Sequence, residues 1–379
     1  MSTITKAISV CLQAKVPVIM EGEPGGGKTQ LAVAMGKHLG MEPVKAVVIT
    51  QYDPAELTGF PRAGEKFVER LAADWIKPLI EAQKGLLFVD EFNLGSMLCQ
   101  GAILRVLSER EVGHVKLPDE VAMILAVNPT ECSAGGSDLS APAANRLCWL
   151  PWKPTVDEWG EGFSDNWAAP PDILKINPNW KLNIPTQRSL IKVFLTKHKR
   201  ALFWQLPKDN LGKAWPSPRT WTMAASLRAA SAGFPDVSAT LMEGCIGSGA
   251  AHSFLTWERE LDLPVLEELF AKPDKVTLPK RQDAIYAMVA SITQYVVDYP
   301  TDDNFCAAFK IFSRIGEQGQ GDVMAAGAVT LGSLVVTTFT NKPMPRRVEN
   351  AILESGKYWS RLYDAIMEGV KASKEPEGR

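Results

Sequence analysis

The stretch Gly22-Glu23-Pro24-Gly25-Gly26-Gly27-Lys28-Thr29 decides how this sequence is read. It fits the spacing G-x-x-x-x-G-K-[ST] in full. An apolar run, Val18 to Glu21, precedes it, and a helical pattern, Lys28 to Leu39, follows. Glycines let the backbone approach a phosphate closely and take positive φ. Their N–H groups can point inward and hold an anion at the start of a helix. Lys28 is then placed to reach the β- and γ-phosphates of a nucleotide, and Thr29 to give a hydroxyl to Mg²⁺. The expected binding set is Gly22, Glu23, Pro24, Gly25, Gly26, Gly27, Lys28, Thr29 and Gln30, around the phosphates of a nucleotide bound with Mg²⁺.

Around this loop, short apolar runs alternate with helical patterns. Val44 to Thr50 (VKAVVIT), Gly85 to Asp90 (GLLFVD), Val121 to Val127 and Arg146 to Leu150 read as strands, and Asp74 to Lys84 and Gly95 to Ser108 as helices. Continuous apolar strands separated by helices predict βαβ units and a parallel sheet. The expected fold class is α/β: a P-loop NTPase αβα core with a five-stranded parallel sheet, then an all-α lid and a helical C-terminal extension. The core is expected over 1–155 and a Trp/Pro-rich irregular linker over 156–185. Lid and extension follow over 186–379. Candidate helices there are Thr186 to Trp204, Ser217 to Ala232, Leu263 to Ala271, Lys280 to Tyr299, Asp303 to Gly316 and Arg346 to Lys371, with a frayed tail from Lys374.

Composition bounds the rest. A chain of 379 residues with 46% hydrophobic and 22% charged residues is long enough for two or three folded domains. It is neither disordered, collagen-like nor a coiled-coil rod. Forty-one basic residues against 43 acidic ones leave a net charge of −2, so no global basic field recruits nucleic acid. The six cysteines form no Cys-x-x-Cys pair, and with four histidines neither a zinc site nor a disulfide framework is expected. Met1 to Met20 is interrupted by Lys6, Gln13 and Lys15 and does not read as a signal peptide. The apolar run Ala325 to Thr340 is short for a bilayer span and reads as a buried helix. A cytoplasmic protein without a membrane anchor is expected.

Three further groups carry chemistry. The strand Leu86 to Val89 ends in adjacent carboxylates, Asp90 and Glu91. Asp90 can orient Mg²⁺, and Glu91 can polarise an attacking water as general base. The strand Val121 to Val127 ends in Asn128, whose amide can position that water. Ser217-Pro218-Arg219 starts a helix with a good N-cap and a proline at the first position. This places the Arg219 guanidinium in the first turn of that helix.

In this order the motifs resemble those of AAA+ ATPases, and more narrowly the MoxR and dynein-related branch. Gly22 to Thr29 is similar to its Walker A loop and Asp90-Glu91-Phe92-Asn93 to its D-E-x-N form of Walker B. Asp53 to Pro61 resembles the loop after the second strand. Leu107 to Val112 resembles the stretch leading into the hairpin before sensor 1, where Glu111 to Leu117 is expected. Asn128 falls at sensor 1, Pro216 to Arg219 at sensor 2, and Arg146 where that branch carries an arginine finger. The sensor 2 resemblance implies a lid helix from which Arg219 can touch a γ-phosphate. Asn145 and Leu147 depart from the usual neighbours of that finger, so Arg105 and Arg110 stand as alternatives.

The resemblance implies an ATP hydrolase, with ATP and Mg²⁺ as the cofactors, that self-assembles into a ring, usually a hexamer. In such a ring an arginine from one subunit completes its neighbour's site. It also implies a chaperone-like role on a protein client, in that branch often one carrying a von Willebrand factor A domain. The catalytic set is then Glu91, Asn128, Arg146 and Arg219, with Thr29 and Asp90 at the metal. A second reading stays open: a nucleic-acid-linked or restriction-type NTPase motor that could use GTP, since these motifs contact phosphate and metal rather than the base. The near-neutral charge argues against a nucleic-acid partner without excluding it.

Overall fold

The computed structural model describes residues 3–129, 132, 139–164, 167, 171–197, 199–206, 212–261, 263–339 and 343–357. The chain divides into two compact units, each discontinuous in sequence. The first is Met1–Ile176 with Leu202–His252, and the second Asn177–Ala201 with Ser253–Arg379.

The first unit opens with helix α1 (Thr3–Gln13), strand β1 (Val18–Glu21), helix α2 (Lys28–His38) and strand β2 (Val44–Val48). A short helix α3 (Pro54–Thr58) and an exposed hairpin, β3 (Phe60–Ala63) and β4 (Val68–Leu71), follow. Then come α4 (Lys77–Ala82), β5 (Gly85–Asp90), α5 (Met97–Glu109), the small hairpin β6 (Glu111–Val112) and β7 (Val115–Lys116), β8 (Val121–Val127), α6 (Ala141–Ala144) and β9 (Cys148–Pro151). Helices α7 (Val156–Ser164), α9 (Pro218–Ala230) and α10 (Pro235–Ile246) complete the unit; α8 (Ile184–Lys197) belongs to the second.

Five strands form one parallel sheet in the order β2-β5-β8-β1-β9. This is a P-loop α/β core. Strand β5 is buried throughout except at Asp90, and β8 is buried along its whole length, as strands covered on both faces require. Side-chain alternation then divides the core. Ile19, Leu87, Val89, Met123 and Leu125 share one face with Ile103 and Val106 of α5. Val18, Met20, Phe88 and Ile124 point to the other face, where α1, α2 and α10 pack on the sheet. Cys148 of β9 lies there between Cys11 of α1 and Cys245 of α10, all three buried thiols close enough to shift one another's titration.

The expected strands β1, β5 and β8 have the observed bounds. Strand β2 stops at Val48, where a 3₁₀ turn over Ile49–Gln51 begins, and β9 starts two residues later than expected. The stretch expected to be irregular contains α7. Its start is a capping box: the Glu158 amide donates to Thr155 Oγ1 at 3.2 Å, and the Thr155 amide to Glu158 Oε2 at 2.8 Å. Of the tryptophans flanking α7, Trp152 and Trp180 are buried, whereas Trp159 is half exposed and stacks on Phe163.

Helix α11 (Ser248–Arg259) spans the boundary in sequence between the units. The second unit is helical: α8 with α12 (Leu266–Ala271), α13 (Gln282–Asp298), α14 (Asp302–Glu317), α15 (Gly321–Phe339) and α16 (Arg346–Gly356). Phe305, Phe309 and Phe312 of α14 meet Met288, Ile292 and Val296 of α13, Leu331, Val335 and Phe339 of α15, and Ile352 of α16. By length and apolarity α15 could cross a membrane, but 59% of its apolar window is buried within the fold. The expected continuation of the last helix to Lys371, and the tail from Lys374, lie outside the described residues.

One ion pair marks the start of α13. Burial would push the Asp283 carboxyl up, but two donors of Arg281, at 2.6 and 3.1 Å, and the Ala284 amide together hold it at about 2. A carboxylate whose folded value is depressed stabilises above its unfolded value, and that contribution is lost as pH falls through the folded one. Arg281 is more than half exposed, which keeps the magnitude modest. Asp283→Asn should therefore cost about 1–2 kcal/mol at pH 7. The gap to wild type should close between pH 4 and 2 in urea melts, and a gap that does not change with pH would contradict this account.

Candidate active site

The phosphate-loop sequence lies where β1 ends between β8 and β9. The Gly22 amide donates to the Val127 carbonyl at 3.1 Å, which anchors the loop at the sheet edge. The loop then rises through exposed Glu23, Pro24 and Gly25 and returns at Lys28, the first residue of α2. Gly25 and Gly27 hold φ of +79° and +76°, where a side chain would be strained. The amides of Gly25, Gly27, Lys28 and Thr29 find no acceptor among the described residues. A helix start with free N–H groups in a left-handed glycine turn is a fitting cradle for phosphate oxygens.

Lys28 is buried beneath this turn. Its ammonium uses three donors, on the Gly22 carbonyl at 2.6 Å, the Glu23 carbonyl at 2.9 Å and Asn128 Oδ1 at 2.8 Å. Burial lowers its pKa from the ordinary lysine value, and the nearby Asp90 carboxylate opposes that shift. Thr29 Oγ1 donates to Asp90 Oδ2 at 3.1 Å, and the other Asp90 oxygen accepts the Glu91 amide at 2.9 Å. Adjacent hydroxyl and carboxylate oxygens are the hard donors Mg²⁺ takes, with water filling its remaining positions. The residues therefore fit both groups expected from the sequence.

Six side chains outside the expected set shape this site. Thr50, after β2, donates to Glu91 Oε2 at 2.9 Å, while Glu91 itself adopts a left-handed φ of +54°. Asn93 is buried and brackets the Asn128 backbone. Its Nδ2 donates to the Asn128 carbonyl at 2.9 Å, and its Oδ1 accepts the Asn128 amide at 3.3 Å. Glu21, at the end of β1, accepts from Trp149 Nε1 at 3.0 Å and pairs with Lys213 at 3.1 Å. Trp152 Nε1 donates to the Gly26 carbonyl at 2.6 Å. Asn93 was legible as the last letter of D-E-x-N. Thr50, Lys213 and Trp152 carried no local signal, because each acts on a residue far away in sequence.

No known family profile matches this sequence. Among solved structures, the chain is similar to a putative ATPase from Cytophaga hutchinsonii, with 12% identity over 64% of this chain and 79% of that one and a TM-score of 0.40. It is also similar to a full-length MCM homolog from Methanopyrus kandleri, with 12% identity over 66% of this chain and 54% of that one and a TM-score of 0.36. The chemistry rests on the side chains rather than on these likenesses.

The arginines form a separate group. Arg146 donates to Ser108 Oγ and the Pro142 carbonyl, both at 2.6 Å. Burial, then the like charge of Arg219, lower its pKa. Arg219 is exposed in the first turn of α9, where Ser217 caps the helix and Pro218 takes the first position, as the sequence suggested. The two elements are joined by Asn145, whose buried amide exchanges hydrogen bonds with Ser217 Oγ at 2.8 and 3.1 Å. No hydrogen bond or ion pair links Arg146 or Arg219 to Lys28, Asp90 or Glu91 among the described residues. Arg105 is engaged by Glu109 and Glu111, and Arg110 by the carbonyls of Pro118 and Val121.

Asn93→Ala should remove both contacts to the part-buried Asn128 backbone and leave its carbonyl and amide without these partners. The expected loss is about 2–3 kcal/mol, read as a lower urea midpoint at unchanged slope. An unaltered midpoint would show that Asn93 does not hold Asn128.

Proposed function

We propose that this chain is a Mg²⁺-dependent ATP hydrolase of the AAA+ type that works as a homo-oligomeric ring. One observation carries the reading: at a glycine turn with unpaired amides, Lys28 is hydrogen-bonded to Asn128 and the adjacent Thr29 to Asp90.

Each residue then has a task. The amides of Gly25, Gly27, Lys28 and Thr29 bind phosphate oxygens. Lys28 turns from the Gly22 and Glu23 carbonyls towards the nucleotide, and keeps Asn128 as its neighbour. Thr29 and Asp90 hold Mg²⁺, which when bound neutralises charge on the phosphates. Glu91 accepts a proton from the attacking water, for which it must exchange its bond from Thr50 for one from that water. Asn128, fixed by Asn93, orients the same water.

Arg146 is the reading we favour for a residue completing a neighbouring subunit's site: its hydrogen-bond partners among the described residues are a hydroxyl and a carbonyl, whereas Arg105 pairs with Glu109 and Glu111 and Arg110 with Asp119. An arginine supplied in this way is worth about 10³–10⁵ in rate in other systems. Arg219 responds to the γ-phosphate from the helix that Ser217 caps. By resemblance to the MoxR branch, the work done is remodelling or activation of a protein client, with a von Willebrand factor A domain protein as the first candidate.

Steady-state ATP hydrolysis over a range of protein concentrations tests the assembly, with Lys28→Ala as the blank. Specific activity should rise with concentration and fall to the blank in Arg146→Ala, which should still bind nucleotide. Activity independent of concentration in a protein that stays monomeric would reject the ring. Glu91→Gln should retain ATP binding and lose turnover by about 10²-fold or more; undiminished turnover would remove Glu91 from its role.

A further inference from the structure

Trp152 leaves β9 directly beside the phosphate loop, and it touches that loop at both ends. Its backbone amide donates to the Glu21 carbonyl at 2.6 Å, at the loop's root. Buried Trp152 lies so close to Gly22 that a Cβ there would collide with the Trp152 carbonyl oxygen and lie 3.1 Å from its Cβ and 3.2 Å from its ring Cδ1. Its indole N–H reaches the Gly26 carbonyl near the loop's far end, at 2.6 Å.

The last contact has a geometric consequence. A peptide unit is planar and trans, so the carbonyl of one residue and the amide of the next point in opposite directions. Drawing the Gly26 carbonyl towards Trp152 turns the Gly27 N–H away from it. Gly27 sits at φ +76°, and its amide has no acceptor among the described residues. Without the indole donor, this Gly26–Gly27 unit is flanked by glycines and free to rotate, since glycine populates both signs of φ with similar ease.

We propose that Trp152 is a positioning residue for nucleotide binding: its indole N–H fixes the Gly26–Gly27 peptide so that the Gly27 amide is preset towards the phosphates. The proposal rests on the ATP-binding reading above. It assigns Trp152 no contact with the reacting atoms.

Trp152→Phe keeps an aromatic ring against Gly22 and removes the donor. Trp75→Phe is the matched control, because the buried Trp75 also donates its indole N–H to a carbonyl, that of Glu56 at 3.0 Å, remote in sequence from the loop. ATP affinity is measured by calorimetry on both full-length variants and on wild type, with thermal melts alongside. Expected is a roughly 3- to 10-fold weaker ATP affinity in Trp152→Phe, a raised KM with kcat changed less, and unchanged affinity in Trp75→Phe. Equal affinity in Trp152→Phe and wild type overturns the proposal while leaving the ATP-binding reading intact. No ATP binding by wild type overturns both.

Should Trp152→Phe fail to fold, 3-benzothienylalanine at position 152 keeps the indole shape and replaces only the N–H by sulfur. The same weakening is then expected, and wild-type affinity in that protein would overturn the proposal.

Discussion

Everything at the site depends on β1 lying between β8 and β9 in a parallel sheet. Its partners on either side are in register, so Glu21 sits level with Val127 and Pro151. The residues that follow those strand ends, Gly22, Asn128 and Trp152, are therefore brought together from three distant parts of the chain. Open α/β sheets offer a crevice at the carboxyl ends of their strands where the strand order reverses. Here the crevice is floored by a buried ammonium, and one side is set by the carboxylates that close β5.

That ammonium explains much of the local architecture. Burying a lysine disfavours its charged form, and a site that keeps the charge must supply acceptors. The loop does so with its own carbonyls, and β8 does so with Asn128. Asn93 then fixes the backbone that presents Asn128. The polar groups are thus satisfied in a chain that runs from the second acidic motif through β8 to the phosphate loop. A substitution at any link would be felt at the others.

Much of this was legible before any coordinates. Strands β1, β5 and β8 are buried on both faces, so they read as unbroken apolar runs with sharp ends. The glycine spacing and the adjacent carboxylates are local signals for local geometry. The hairpin β3–β4 was not legible, because its residues are largely exposed and leave no alternation. Helix α7 was legible in principle, since Thr155 and Glu158 spell a capping box, but the surrounding prolines and tryptophans masked it. Trp152 could not have been found: a hydrogen bond between residues 126 apart has no footprint in sequence. The association of Asn177–Ala201 with the chain beyond Ser253 is likewise a property of packing alone.

The Asn145–Ser217 contact has an electrostatic consequence. It binds the turn carrying Arg146 to the cap of the helix carrying Arg219, so the Arg146 guanidinium feels the like charge of Arg219. An anion that approaches this edge meets the field of both charges, which salt cuts over about 8–10 Å. One buried amide–hydroxyl contact thus lets two arginines from distant parts of the chain act on the same anion.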